Sequence, residues 1–309
     1  MKNSDQMRDL LSASARDVTS QFGEDGIIEE ILRRIAGGEE KTGGWCVEFG
    51  AWDGKFLSNT YNLIKRRDFN AVLIEGDPER VDELHRNMPE ERVKKVQRWV
   101  EWGGANSLDS ILSESNIPVD FDFLSIDIDG CDYHIFDNLK KYRPKVVCVE
   151  YNPTIPNDVV FIQERDFSVK QGCSPLALVR LAETKGYSLV ACTEPNLFFV
   201  ENGYVDAVVG INRPTLDDLR DDEELKAYLF VGYDGTLLSN KNKILMRWHK
   251  FSISIKDIQY LPQFLRRYPR EYSWIERWML LGYKIYREPK KACLSLLRRL
   301  WNPERLNKQ

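Results

Sequence analysis

Between Thr42 and Gly210, seven short apolar runs alternate with segments of helical periodicity, a pattern that few architectures accommodate. The runs are WCVEFG (45–50), NAVLIEG (70–76), RVKKVQRWV (92–100), FDFLSID (121–127), KVVCVEY (145–151), YSLVACT (187–193) and LFFVEN (197–202). Between them, PERVDELHRNM (78–88), SLDSILSES (107–115), YHIFDNLKKY (133–142) and SPLALVRLAETKG (174–186) place apolar residues at helical spacing. Ser174 and Pro175 form a cap and first-turn pair, and Gly186 is a stop. Alternating strand and helix points to a doubly wound α/β sheet. The last two runs lie too close for an intervening helix, so they are expected to pair antiparallel at one edge.

This core, residues 42–210, is expected to be flanked by two other regions. Residues 1–41 read as an N-terminal helical segment, with Ile27, Ile28, Ile31, Leu32 and Ile35 on one face. Residues 211–309 read as an extension, entered through the acidic stretch NRPTLDDLRDDEELK (212–226) and ending in a basic, aromatic-rich tail. From Leu265 onward 12 Lys/Arg face 4 Glu, although the chain as a whole has a net charge of -4. That asymmetry suggests that the tail meets something anionic. With an acidic core and no recognition motif, nucleic acid is not an expected partner.

The six cysteines show no C-x-x-C spacing and sit among apolar or small residues, as buried free thiols would. The opening MKNSDQMRDLLS lacks the continuous apolar core of a secretory signal, and no run approaches the ~18 apolar residues of a spanning helix. A cytoplasmic protein is the expectation.

In an open α/β sheet, ligands bind outside the carboxyl ends of the strands, near the point where strand order reverses. At the end of the first run stands VEFGAWDGKF (47–56). Gly50 and Gly54 permit a tight turn and close backbone approach, with Ala51 between them, and Glu48 and Asp53 supply acceptors. A pyrophosphate would be repelled by these carboxylates, whereas a cationic sulfonium bearing an amino group tolerates them. Glu75, in LIEGDP, lies about 20 residues beyond this loop, where nucleoside-binding sheets place an acid for ribose hydroxyls. Without that company, the glycines alone would read as an ordinary turn.

VEFGAWDG, LIEGDPE, NSLDSIL and FLSIDIDGCD, in this order, resemble the motifs of the FkbM-like S-adenosylmethionine-dependent methyltransferases over roughly residues 20–205. The resemblance implies a Rossmann-like, seven-stranded, mostly parallel sheet and O-methyl transfer to sugars, glycans or secondary metabolites. It further implies that Glu48, Gly50, Asp53 and Gly54 hold the methionine part and Glu75 the ribose, while Asn106 or its neighbours face the adenine. SQFGED (20–25) resembles the segment that precedes the first strand in relatives, with Gln21 and Asp25 as weaker candidates. One departure is that the family often follows its fourth-strand acid with E-G-x-E, where this chain has Asp129-Gly130-Cys131-Asp132.

Burying an unpaired carboxylate is expensive, so the acids that follow the fourth run need water, a cation or a ligand. Asp127 and Asp129 are two apart, and a strand persisting that far would present both on one face. Glu150 and Asn152 repeat the spacing after the fifth run, about 4.8 Å away. Together these hard oxygen donors suit Mg²⁺ or Mn²⁺, an arrangement resembling metal-dependent catechol-type O-methyltransferases. The other chemistry open to them is proton abstraction by Asp127 or Glu150, with His134 more readily a supporting residue. Asp132 is expected to cap the helix beginning near Tyr133.

Asp127-Ile128-Asp129 also spells the D-x-D of metal-dependent glycosyltransferases, which remains the rival enzyme reading. A catalytically inactive methyltransferase-like scaffold is the third. GYDGTLL (232–238) imitates a phosphatase motif but has Gly232 at the nucleophile position, so Asp234-Gly235 reads as a hairpin turn. The tail YSWIERWMLLGYKIYREPKKACLSLLRRLWNPERL (272–306) is either an interfacial basic helix or a helix packed on the core or at a homodimer contact. In the former case it would bring the enzyme to a membrane or a lipid-linked glycan acceptor.

Overall fold

A computed structural model of the chain describes residues 11–291. The chain divides into two units, residues 1–225 and 226–309.

The first unit is built on α1 (Glu24–Ile35), β1 (Trp45–Phe49), α2 (Tyr61–Arg67), β2 (Asn70–Glu75), α3 (Pro78–Asn87), β3 (Val93–Gln97) and α4 (Leu108–Ser113). It continues with β4 (Phe123–Ile126), α5 (Asp132–Asn138), β5 (Val146–Glu150), α6 (Pro175–Thr184), β6 (Tyr187–Cys192), β7 (Asn196–Glu201), α7 (Val205–Val209) and α8 (Leu216–Leu219). The seven strands form one sheet in the order β3-β2-β1-β4-β5-β7-β6. Only β7 runs against its neighbours, pairing antiparallel with both β5 and β6. The doubly wound, mostly parallel sheet expected from the alternating pattern is therefore observed, with the antiparallel edge where it was expected.

Period-two alternation explains why the strands read as continuous apolar runs. Val47, Phe49, Val72, Ile74, Leu124 and Ile126 point to one face. Cys46, Ala71, Leu73, Phe123, Cys148 and Phe198 point to the other. Helices cover both faces, so neither set of side chains meets water. The first layer includes Ile111 and Leu112 of α4, Ile135 and Phe136 of α5, and Leu178 and Leu181 of α6. The second includes Ile27, Ile28 and Ile31 of α1, Leu63 of α2, Leu84 of α3 and Val205 of α7. Local signals set the helix starts: Ser174 accepts from the Ala177 amide ahead of Pro175, and Asp77 accepts from the Glu79 amide ahead of Pro78.

The second unit holds two antiparallel hairpins, β8 (Leu229–Val231) with β9 (Leu237–Ser239) and β10 (Lys243–Met246) with β11 (Phe251–Ser254), followed by α9 (Trp274–Arg287). Asp234 sits in the turn of the first hairpin, where its carboxylate accepts from the Thr236 amide and hydroxyl at 3.0 and 2.8 Å. A hairpin is what the D-G pair predicts, and the phosphatase-like motif has no nucleophile to offer.

Cys46, Cys131, Cys148, Cys173 and Cys192 are free thiols, the first four buried. Among the described residues, no helix is long and apolar enough to cross a membrane.

Candidate active site

Strand order turns between β1 and β4, so the crevice to examine lies beyond their carboxyl ends. β1 leads into Gly50, at φ +69°, where a Cβ would stand 2.4 Å from the Asp127 carbonyl oxygen. No side chain fits there, and the left-handed backbone is easy only for glycine. Gly54 is left-handed as well, with its Cα packed against Leu84 and Met88 of the α3 region. Between them the Ala51 amide donates to the Ile74 carbonyl at 3.1 Å, tying the loop to β2.

Each acid of this loop has partners. Glu48, 6% exposed, accepts from the hydroxyls of Ser58 and Thr60 and from the Asn59 amide. Burial raises its pKa, and the two hydroxyl bonds oppose that shift. Asp53 accepts from the amides of Lys55 and Phe56 at 2.9 and 2.7 Å, closing its own turn. Glu75, buried at the end of β2, accepts from the Trp52 amide through one oxygen and the Asp77 amide through the other, both at 2.9 Å. It thereby joins the loop after β1 to the loop after β2. Asn106 lies in a 3₁₀ turn (Gly104–Asn106) after β3, half-buried.

Opposite this loop stand the acids of β4 and β5. Asp127, Asp129 and Glu150 bring one carboxylate oxygen each within 4.8 Å of one another. The route differs from the one expected: β4 stops at Ile126, and Asp129 adopts a left-handed conformation at φ +57°. A sharp turn rather than a prolonged strand therefore gathers the two aspartates. Asp132 also departs from expectation. It is already the first residue of α5, behind the cap position of Cys131, and its carboxylate reaches back to the amides of Ile128 and Gly130, both at 2.9 Å. Its work is to hold that turn rather than to cap the helix. Asn152 spends its amide within its own loop, accepting from the Thr154 amide and hydroxyl and donating to the Gln171 carbonyl.

The electrostatics follow from this crowding. Desolvation, then the charge of Asp129, pushes Asp127 up to about 6, although it stays open to solvent on the crevice side. Asp132 is raised by its full burial and then by Asp127. Glu150 is raised most, by burial and then by Asp127, Asp132 and Asp129 in turn. Among the described residues, no Lys or Arg pairs with Asp127, Asp129, Asp132 or Glu150. The crevice therefore favours a bound cation or a retained proton. His134 is structural: its Nε2 faces the Gln163 carbonyl at 2.8 Å and so carries the hydrogen, leaving Nδ1 to accept from Arg165.

Several residues that matter here gave little sign of it in the sequence. Gln163, 2% exposed, accepts from the amides of Gln171 and Gly172 and donates to the carbonyls of Asp166 and Val169 and to the Cys131 sulfur. It fastens the 163–172 loop onto the turn that carries Asp129. Ser58 and Thr60, partners of Glu48, could have been suspected from the Ser-Asn-Thr run ahead of α2. Trp99 lies across Gly76, where a Cβ would meet its ring at 2.1 Å, and is 67% exposed. Asp25 and Glu24 are spent on neighbouring segments: Asp25 accepts from the amides of Val18, Thr19 and Ser20 ahead of α1, and Glu24 from the side chains of Thr193 and Asn196 at the β6–β7 turn.

Residues 105–172 match the family model described as the methyltransferase FkbM domain, a segment that contains Asn106, Asp127, Asp129, Glu150 and Asn152. A comparison with curated proteins finds no match. Among solved structures the chain is similar to an S-adenosylmethionine-dependent methyltransferase from Aquifex aeolicus, at 12% identity over 64% of this chain and 97% of that one, with a TM-score of 0.35. It is similar to a TehB-like S-adenosylmethionine-dependent methyltransferase from Corynebacterium glutamicum, at 15% identity over 65% and 97%, TM-score 0.33. A third is M. capricolum TrmK in complex with S-adenosylhomocysteine, at 10% identity over 55% of this chain and 65% of that one, TM-score 0.33. At these identities and scores the likenesses add nothing to the fold already read from the sheet order. The family match falls on the segment that carries the acidic crevice.

Proposed function

We propose that the protein is an O-methyltransferase that acts on a hydroxyl of a sugar-containing acceptor, a glycan, glycolipid or secondary metabolite. The observation that carries this reading is the convergence of Asp127, Asp129 and Glu150 beside the turn at Gly50. When bound, S-adenosylmethionine supplies a methyl group on a positively charged sulfur. The residues present suit such a ligand: a crevice rich in carboxylates without basic partners stabilises a cation, and Gly50 keeps the loop backbone unobstructed. Glu48, Ala51, Asp53, Gly54 and Glu75 shape that loop, and Asn106 stands at the adenine side of the proposed site.

Asp127 is the group we assign as the base. With its pKa near 6 it is largely ionised at neutral pH yet basic enough to receive a proton from an acceptor hydroxyl. Glu150, raised further, keeps its proton and directs it at Asp127. A divalent cation, Mg²⁺ or Mn²⁺, held by Asp127, Asp129 and Glu150, is the alternative way to meet the same charge, and it would lower the pKa of the acceptor hydroxyl.

The test is methyl transfer to a panel of sugar acceptors, with and without EDTA, for the wild type, Asp127→Asn and Glu150→Gln. Each substitution is expected to lower kcat by ~100-fold or more while S-adenosylhomocysteine affinity changes only a few-fold. Loss with EDTA and recovery with Mn²⁺ assigns the cluster to a metal; indifference to EDTA assigns it to proton transfer. Full activity in both variants would remove the proposal.

A further inference from the structure

The unit spanning residues 226–309 carries 18 Lys/Arg and 6 Asp/Glu, a net charge of +12, which leaves -16 on the rest of a chain of net charge -4. Among its described residues only Leu265 and Tyr272 are buried hydrophobics. With so small a core, much apolar surface among the described residues is left exposed.

α9 shows where that surface lies. The helix is begun by a capping box in which Ser273 and Glu276 exchange side chain to backbone bonds. Trp274, Trp278 and Ile285, and beside them Ile275, Met279 and Tyr286, fall on one side at i, i+4 and i+11 spacing, and all are 40–79% exposed. The opposite side, where a half-buried Leu280 stands among Glu276, Tyr283 and Arg287, makes the intramolecular contacts. Glu276 pairs with Arg267 at 2.9 Å, the Tyr283 hydroxyl donates to the Tyr260 carbonyl, and the Arg287 guanidinium lies 4.4 Å from the Tyr260 ring centre. An ordinary surface helix buries its apolar stripe and exposes its charges. This one leaves the wider part of its apolar surface, both tryptophans included, in solvent.

We propose that the apolar face of α9 docks into an anionic lipid surface. Tryptophan and tyrosine are the side chains that favour the boundary between headgroup and acyl chain, because their rings are apolar and their N–H or O–H groups stay wet. Arg277 and Lys284, at the border of the apolar arc, and Lys290 and Lys291 beyond its end are placed to meet lipid phosphates. The exposed Trp248 and Phe251 of the β10–β11 hairpin extend the same chemistry. A protein partner would have to offer both a greasy face and a dense negative charge, which a bilayer containing anionic lipid offers everywhere.

The experiment uses the full chain, incubated with vesicles of phosphatidylcholine alone or mixed with an equal part of phosphatidylglycerol, and reads tryptophan fluorescence and cosedimentation. The wild type is expected to partition onto the mixed vesicles about tenfold more strongly than onto the neutral ones, and added salt should reverse part of that gain. Trp274→Glu with Trp278→Glu, changes at exposed positions that leave the core untouched, is expected to weaken partition about tenfold. Equal binding by the variant, no binding by the wild type, or a solution dimer that these substitutions convert to monomer without vesicle binding would each overturn the proposal.

Discussion

Glu150 is the residue on which the charge balance of the crevice turns, because burial and three neighbouring aspartates all oppose its ionisation. Asp127 is raised to about 6, and Asp132 and Glu150 are raised too, so the folded protein holds protons that the unfolded chain, with carboxyl pKa values near 4, has released. Where the folded state binds more protons, stability falls as pH rises. The contribution of these groups is therefore full below about pH 4 and is lost through pH 6 and above. Glu150→Gln removes a group that must take up a proton on folding at pH 8, and is expected to stabilise the cofactor-free protein by about 1–2 kcal/mol at that pH, with little effect at pH 5. Thermal unfolding across that range checks it; parallel profiles for wild type and variant would show that the strain lies elsewhere. That acids gather here was legible in the residue types and in their places after two strands. How they gather was not, because a left-handed Asp129 and a back-reaching Asp132 are settled by the packing of the turn.

The loop between β5 and α6 is the element whose role was hidden in the sequence. The strands beside it declared themselves through runs such as VVCVE, which both layers of helices keep dry. Gln163 had no such signature: its value comes from amides and carbonyls three to nine residues onward and from Cys131, 32 residues back. Glutamine in a polar loop looks the same whether it is solvated or clamped. Gln163→Leu leaves several buried groups without partners, a loss of about 2–4 kcal/mol. Hydrogen exchange is expected to show amides of residues 164–172 losing protection while those of β4 and β5 keep theirs. A uniform loss across the sheet would mean that the clamp supports the whole unit and not this element.

At the scale of the whole molecule, the two units differ in what holds them together. Residues 1–225 enclose a two-layered core, whereas the described part of 226–309 buries Leu265 and Tyr272. Calorimetry is expected to give one sharp transition and one broad, low-enthalpy transition. S-Adenosylhomocysteine at 100 times its Kd should raise only the sharp one, adding about 2.7 kcal/mol of stability. A single transition that moves as a whole would show the units to be energetically one. The sheet was readable from alternating periodicity alone, and the second unit was readable chiefly as charge and aromatic content, because short strands with both faces exposed leave no periodic trace.

A map of tolerated substitutions over the chain would show Gly50 as nearly invariant, since the Asp127 carbonyl fills the space that any Cβ needs. That intolerance would be the same in a working enzyme and in a descendant that had lost its reaction, because it protects the meeting of two backbones. Survival of the glycine loop thus says nothing about turnover. Glu150 is the informative position, since its unfavourable ionisation gives a chain that no longer catalyses a reason to replace it.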